Sequence, residues 1–202
     1  NKTVQDAFLE HHLLCFRSKP LSASEFAAVA RWFGEPQAQF GQQGHGDVRE
    51  VSILDSTYAR AEDKPDDLWQ MRLTGWHTDD SYLAAPAKAT LLQSIEIPDS
   101  GGETSFCNTR LAYEDLTEAE KRRLDGLFAA HRYDTPRALV RPKARTKVEE
   151  AETPEVIHPL VRTHEDTGKK AIYFNSNRTD RVVDVSHDES EEVLDWVNRC
   201  MT

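Results

Sequence analysis

His77 and Asp79 lie two residues apart in Gly75-Trp76-His77-Thr78-Asp79-Asp80-Ser81-Tyr82. In an extended backbone, side chains at i and i+2 leave the same face. An imidazole nitrogen and a carboxylate oxygen are then available to one metal ion. Those are two of the three donors of the 2-His-1-carboxylate triad of non-haem Fe(II) oxygenases. Such a triad leaves three octahedral positions open, enough for a bidentate co-substrate and dioxygen. Spacing alone also fits a surface His–Asp contact at a strand end. Asp79 and Asp80 are adjacent, so an extended backbone turns them to opposite faces and they do not form a glycosidase pair. The chain has no G-x-S-x-G elbow, no Walker loop and no H-E-x-x-H helix.

Three further segments follow in order. The apolar run Ala87 to Ile97 leads through Pro98-Asp99-Ser100 into Gly101-Gly102-Glu103-Thr104-Ser105-Phe106-Cys107-Asn108. Much later come His158-Pro159-Leu160-Val161-Arg162-Thr163-His164 and Lys170-Ala171-Ile172-Tyr173-Phe174-Asn175. Together these boxes resemble the taurine dioxygenase / (2,4-dichlorophenoxy)acetate dioxygenase (TauD/TfdA-like) family of Fe(II)/2-oxoglutarate-dependent oxygenases. The resemblance runs from about Phe8 to the end of the chain.

The resemblance implies a role for each matching residue. His77 and Asp79 match the first two iron ligands. Thr104 matches the threonine whose hydroxyl contacts a carboxylate of 2-oxoglutarate. Gly101 and Gly102 match the turn before it, where glycine permits positive φ. Asn175 and Arg181 fall in a stretch near the active-site mouth. Arg178 stands where some relatives carry an aromatic residue facing the substrate, and a cation there would favour an anion. The implied activity is hydroxylation of a small, anionic organic substrate by Fe(II), 2-oxoglutarate and dioxygen, releasing succinate and CO2. Two other readings remain. One is an amino-acid-type biosynthetic hydroxylase or desaturase of the same fold. The other is a non-catalytic binding protein that lost the third iron ligand. A cupin-like site is disfavoured, because only His77 is available locally.

The family's third ligand, a histidine in a WDN…H box, and the arginine that grips the far carboxylate of 2-oxoglutarate have no match in this chain. The expectation is therefore an incomplete copy of the domain, with the third ligand beyond Thr202. His158, His164 and His187 are not expected to replace it. His158 and Arg162 read as hydrogen-bonding residues that pin neighbouring strands, and Trp76 as core packing. His11, His12 and His131 read as helix-surface or packing residues.

The elements that must position these residues are partly visible. Val4 to His12 has helical spacing, and Leu13 to Phe16 reads as a strand. Ser22 and Glu25 form a capping box for a helix that places Phe26, Val29, Ala30 and Phe33 on one stripe and stops at Gly34. Val51 to Leu54 is a candidate strand, and residues 60 to 70 a charged loop. Ala87 to Ile97 reads as a buried strand. Thr117 opens a capped helix running to about Leu127. Residues 134 to 156, with Pro136, Pro142 and Pro154 among many charges, read as a mobile lid loop; its cations Arg137, Arg141, Lys143, Arg145 and Lys147 read as solvated. Ala171 to Phe174 is a strand. Ser186 to Arg199 is a helix with acids first and Arg199 last, which suits its dipole. Strands with helices grouped apart leave α+β or a decorated barrel open. The resemblance implies a mainly β fold with flanking helices: a single domain over 1–202 with a double-stranded β-helix, or jelly-roll, core, incomplete at both ends.

The chain has 202 residues with 35 acidic and 25 basic side chains, a formal net charge of −10. That excludes nucleic acid or an anionic membrane as the main partner, but not a small anion in a local basic pocket. No membrane span or signal peptide is expected. Cys15, Cys107 and Cys200 are odd in number and lack C-x-x-C spacing. They read as free thiols in a reducing, cytoplasmic compartment. The resemblance adds a homo-oligomer as the expected assembly.

Overall fold

The computed structural model describes residues 2–38, 44–54, 75–100, 103–138 and 145–201. The chain divides into two compact units, Asn1–Leu68 with Ala87–Glu103, and Trp69–Pro86 with Thr104–Thr202. Each unit is described by itself.

The first unit holds α1 (Lys2–His11), α2 (Ala23–Ala30) and the antiparallel pair β1 (Gly44–His45) and β2 (Val48–Ser52). The Ser22 capping box forms as expected: its hydroxyl accepts from the Glu25 amide, and the Glu25 carboxylate accepts from the Ser22 amide. Phe8 of α1 meets Phe33 edge to face at 5.2 Å. Two expected strands are absent. Leu13 to Phe16 has no ladder, and Leu13 and Phe16 are exposed. Ala87 to Ile97 is also outside any strand, with Leu92, Ile95 and Ile97 exposed. A strand exists only where a neighbour pairs its amides. Here a side chain takes the place of a ladder partner. Gln93 Oε1 accepts from the Leu21 amide at 2.8 Å, and Gln93 Nε2 donates to the Leu21 carbonyl at 2.9 Å. The expected charged loop at 60–70 lies outside the described residues.

The second unit carries α3 (Thr109–Glu114), α4 (Glu118–Leu124), β3 (Phe128–His131), α5 (Lys147–Glu152), β4 (Val156–Pro159), β5 (Val161–Thr163), β6 (Lys170–Ile172), β7 (Thr179–Val182) and α6 (His187–Met201). β3 is the centre of an antiparallel sheet ordered β4-β3-β7, and β5-β6 is a hairpin. The β6 and α6 expectations hold to within a few residues. α3, capped by the Asn108 side chain, and the short strands β3, β4, β5 and β7 were not expected.

The reading of 134–156 as irregular loop is corrected in part. Thr146 and Glu149 form a capping box that starts α5. Its cations are not simply solvated either. Arg137 pairs with Glu191 and, at 2.9 Å, Asp195; Arg145 pairs with Asp134 at 2.9 Å. Arg141 and Lys143 lie outside the described residues. Among the described residues no helix is long and apolar enough to cross a membrane, and the three cysteines are free.

The core sits between α6 and the sheet. Val193, Leu194, Val197 and Met201 fall at i, i+1, i+4 and i+8, one face of a helix, and pack with Leu124, Ala129, Leu160, Phe174 and Val182. A buried polar bond anchors this face. The Ser190 hydroxyl accepts from the Val182 amide of β7 at 2.9 Å. Ser190→Ala leaves that amide buried without an acceptor, which costs about 1–3 kcal/mol. Urea denaturation of Ser190→Ala against wild type measures the loss, and an unchanged midpoint would refute the role.

Candidate metal and co-substrate site

The His77 segment is not a strand, contrary to expectation. It is an irregular stretch ending in a turn, with the Leu83 amide donating to the Asp80 carbonyl at 2.9 Å. The period of two survives nonetheless. Trp76, Thr78 and Asp80 are half-buried, whereas His77 and Asp79 are exposed. The two candidate ligands therefore share the open side. His77 Nε2 lies 3.7 Å from Asp79 Oδ1. With metal–donor bonds of about 2.1 Å, donors closer than about 4.2 Å can share one ion.

Gly75 fixes the imidazole tautomer. It sits at φ +70°, a region open to glycine, and its carbonyl lies 3.1 Å from His77 Nδ1. A carbonyl only accepts, so Nδ1 carries a proton, and Nε2 is the nitrogen that faces Asp79. That is the arrangement a metal-ligating histidine uses. Among the described residues no group of three or more His, Cys, Asp or Glu gathers to hold a metal. The pair could supply two donors of a set, of types that suit Fe(II).

A second turn holds this segment from behind. Asn175 is buried, and its Nδ2 donates to the Thr78 carbonyl at 2.6 Å. The Ser176 amide and hydroxyl both donate to the Trp76 carbonyl, at 3.0 and 2.9 Å. The carbonyls on either side of His77 are therefore both occupied. The Asn175 Oδ1 accepts from the Asn177 amide at 2.9 Å, which shapes the turn itself. Asn175 was expected near the mouth of the site; it is a buried clamp instead. Arg181 is committed elsewhere, forking onto both Glu155 oxygens at 2.8 Å.

A cleft of about 220 Å³ opens beside His77, lined also by Trp76, Ser105, Phe106, Cys107 and Tyr173. Thr104 is exposed and is not part of that lining; its neighbour Ser105 is. Gly101 and Gly102 lie outside the described residues. Sequence reasoning did not single out Ser105 or Cys107. Their position immediately after Thr104 was the available signal. Trp76, read from the sequence as core packing that could also wall the metal site, is half-buried and lines this cleft.

His158 is a strut, in line with expectation: its Nε2 donates to the Leu83 carbonyl at 3.0 Å. Arg162 stacks on the Tyr173 ring at 4.6 Å. His131 is the larger surprise. It is fully buried at the end of β3, between His158 and Tyr173, with ring centroids 5.2 and 5.6 Å away. Among the described residues neither of its nitrogens has a hydrogen-bond partner, nor does the Ser81 hydroxyl. Burial, with help from His158 and Arg162, holds its pKa down to about 3. Burial and then Asp79 push the Asp80 carboxyl up, against a hydrogen bond with Tyr82.

The family model described as "Taurine catabolism dioxygenase TauD, TfdA family" matches residues 1–202. The chain belongs to this family. It is 30% identical over 184 residues to an alpha-ketoglutarate-dependent 2,4-dichlorophenoxyacetate dioxygenase of Burkholderia sp. (strain RASC), covering 87% of this chain and 62% of that protein. It is 31% identical over 207 residues to an alkylsulfatase of Acinetobacter baylyi, covering 98% of this chain and 62% of that protein. The crystal structure of a taurine dioxygenase from Burkholderia xenovorans superposes with a TM-score of 0.74 at 28% identity, covering 100% of this chain and 62% of that one. The chain thus spans about 62% of the length of these TauD/TfdA relatives.

Two predictions follow from this geometry. Asn175→Ala removes the clamp on Thr78 and lowers Fe(II) affinity about 10–100-fold, as loss of a residue that orients ligands does; metal titration checks it, and unchanged affinity would reject the clamp. The second concerns pH. The folded His131 binds its proton more weakly than the unfolded one, so stability is full above about pH 6.5 and falls as pH drops toward 3. One proton contributes a slope of about 1.4 kcal/mol per pH unit in that window. Urea midpoints at pH 7, 6 and 5 should show this slope in wild type and its reduction in His131→Phe. Equal slopes would show that His131 titrates normally.

Proposed function

We propose that this chain carries the iron-binding and co-substrate-binding part of an Fe(II)/2-oxoglutarate-dependent dioxygenase acting on a small anionic organic substrate. One observation carries the reading within a family match over the whole chain: His77 Nε2 and Asp79 Oδ1 face each other at 3.7 Å, with Nδ1 already committed to Gly75. His77 and Asp79 hold the iron. Thr104, one residue before the cleft lining, steadies a carboxylate of 2-oxoglutarate. The third iron ligand and a cation for the far carboxylate come from residues other than those described. The jelly-roll core, a lid role for 134–156, assembly as a homo-oligomer and a reducing compartment belong to the same reading.

When bound, iron and 2-oxoglutarate supply an oxidant that hydroxylates an unactivated C–H bond, using dioxygen and releasing succinate and CO2. This chain's residues do the positioning. Gly75 accepts from Nδ1, which leaves Nε2 as the nitrogen for the metal. Asn175 and Ser176 hold the backbone on both sides of His77. Trp76 and Phe106 offer apolar surface to a substrate in the cleft. Substrates named for relatives, 2,4-dichlorophenoxyacetate among them, are organic anions, which supports the anionic class here.

The test is anaerobic titration of the full-length protein with Fe(II) and 2-oxoglutarate. A weak visible charge-transfer band is expected, and His77→Ala should abolish it. No band in folded, iron-loaded protein would overturn the oxygenase reading in favour of a binding module on the same fold.

A further inference from the structure

Asp79 stands between two fastened stretches of backbone. Just before it, the Thr78 carbonyl accepts from Asn175 Nδ2 at 2.6 Å. Just after it, the chain enters the turn that the Leu83 amide closes on the Asp80 carbonyl at 2.9 Å. That turn starts with Asp80 at φ +54°, a conformation that a residue with a side chain seldom adopts. Such a backbone persists where its surroundings hold it. The Asp79 side chain is exposed, so packing does little to aim its carboxylate. The backbone on either side has to do so.

His158 supplies the second fastening. It is buried on β4, 75 residues after Leu83. Its Nε2 donates to the Leu83 carbonyl at 3.0 Å, and its ring also bonds the Ser81 backbone. The ring has little freedom to turn away. His131 and Tyr173 pack on it nearly perpendicular, with centroids 5.2 and 5.5 Å distant, and β4 itself is paired to β3 through Ala129. Burial lowers the His158 pKa, so the ring is neutral at pH 7. Its one proton is then the Nε2 proton that the carbonyl accepts. Tyr82, between Ser81 and Leu83, meets Tyr133 edge to face at 5.2 Å, but that contact holds a side chain and leaves the turn's carbonyls to His158.

We infer that His158 is a positioning residue for Asp79. It holds the turn that follows Asp79 as Asn175 holds the peptide that precedes it. Together they keep Asp79 Oδ1 3.7 Å from His77 Nε2 before any metal arrives. His158 is not itself a ligand, because its donor nitrogen is directed at a carbonyl. The inference rests on His77 and Asp79 as the metal-binding pair.

The test is anaerobic Fe(II) titration of the full-length protein by calorimetry, with urea midpoints measured on the same samples. His158→Leu removes the donor and should weaken Fe(II) binding about 10–100-fold, as loss of a group that orients metal ligands does. His158→Gln carries an amide nitrogen that reaches about as far as Nε2, and should bind within a few-fold of wild type. His158→Asn is too short to reach the Leu83 carbonyl and should lose as much as His158→Leu; it carries the test if His158→Leu does not fold. A lowered urea midpoint with wild-type Fe(II) affinity makes His158 a residue of the fold alone and overturns the inference. Equal losses in His158→Gln and His158→Leu overturn it too, since the ring and not its donor would then matter. So does a loss of binding as complete as in His77→Ala, which marks a ligand. Absence of Fe(II) binding in folded wild type removes the metal pair and the positioning role with it. Binding that is lost in His77→Ala but unchanged in the His158 variants removes the positioning role alone.

Discussion

The segment that carries His77 and Asp79 has no ladder of its own, so its shape depends on bonds that other residues make to it. Three donors do this: the Asn175 amide group on Thr78, and the Ser176 amide and hydroxyl on Trp76. A strand would have used backbone pairing and left little choice about which side chains face out. Clamping the carbonyls of Trp76 and Thr78 gives the same alternation while freeing the residues after Asp79 to turn. That turn puts Asp80 at φ +54°, a left-handed conformation that aspartate tolerates better than most residues. Tyr82 is thereby brought back beside Arg178. One interaction thus sets both the ligand pair and the aromatic walls near it.

What the sequence made legible follows the range of the interaction. Capping is local, and the Ser22 and Thr117 boxes formed where Ser-x-x-Glu and Thr-x-x-Glu patterns placed them. The Thr146 to Glu149 box is the same signal, overlooked because Pro136, Pro142 and Pro154 suggested a loop throughout. α6 was legible because a helix satisfies its own backbone and this one is fifteen residues long with an apolar stripe. Strands of three or four residues were not, since their existence depends on a partner far away in the chain. β3 reads Phe-Ala-Ala-His, with no alternation to find, and is a strand because β4 and β7 flank it. Ala87 to Ile97 is the converse case: apolar enough for a buried strand, yet without a pairing neighbour among the described residues.

At the site, residue types were legible and contacts were not. His77 and Asp79 share a side, as their spacing requires. Thr104, carried over by likeness, is exposed beside the cleft rather than in its lining. Asn175 was recognised as belonging to the site region, but its task could not be read, because a side chain reaching 97 residues back leaves no local pattern.

Two buried polar groups without partners among the described residues lie close to the site. The core around α6 is apolar, and its buried Ser190 has a partner. Among the described residues Ser81 and His131 do not, and Arg178 meets no carboxylate within ion-pair distance. Ser81 is two residues from Asp79, His131 packs on Tyr173, which lines the cleft with His77, and Arg178 sits on the turn that clamps Thr78. Buried polar groups without partners cost free energy that a purely structural core would avoid. Proteins tolerate such costs where an active or binding site needs the groups unpaired. A net charge of −10 sharpens the point. Acids are in excess over the whole chain, yet none of the described carboxylates lies within ion-pair distance of the half-buried Arg178 guanidinium.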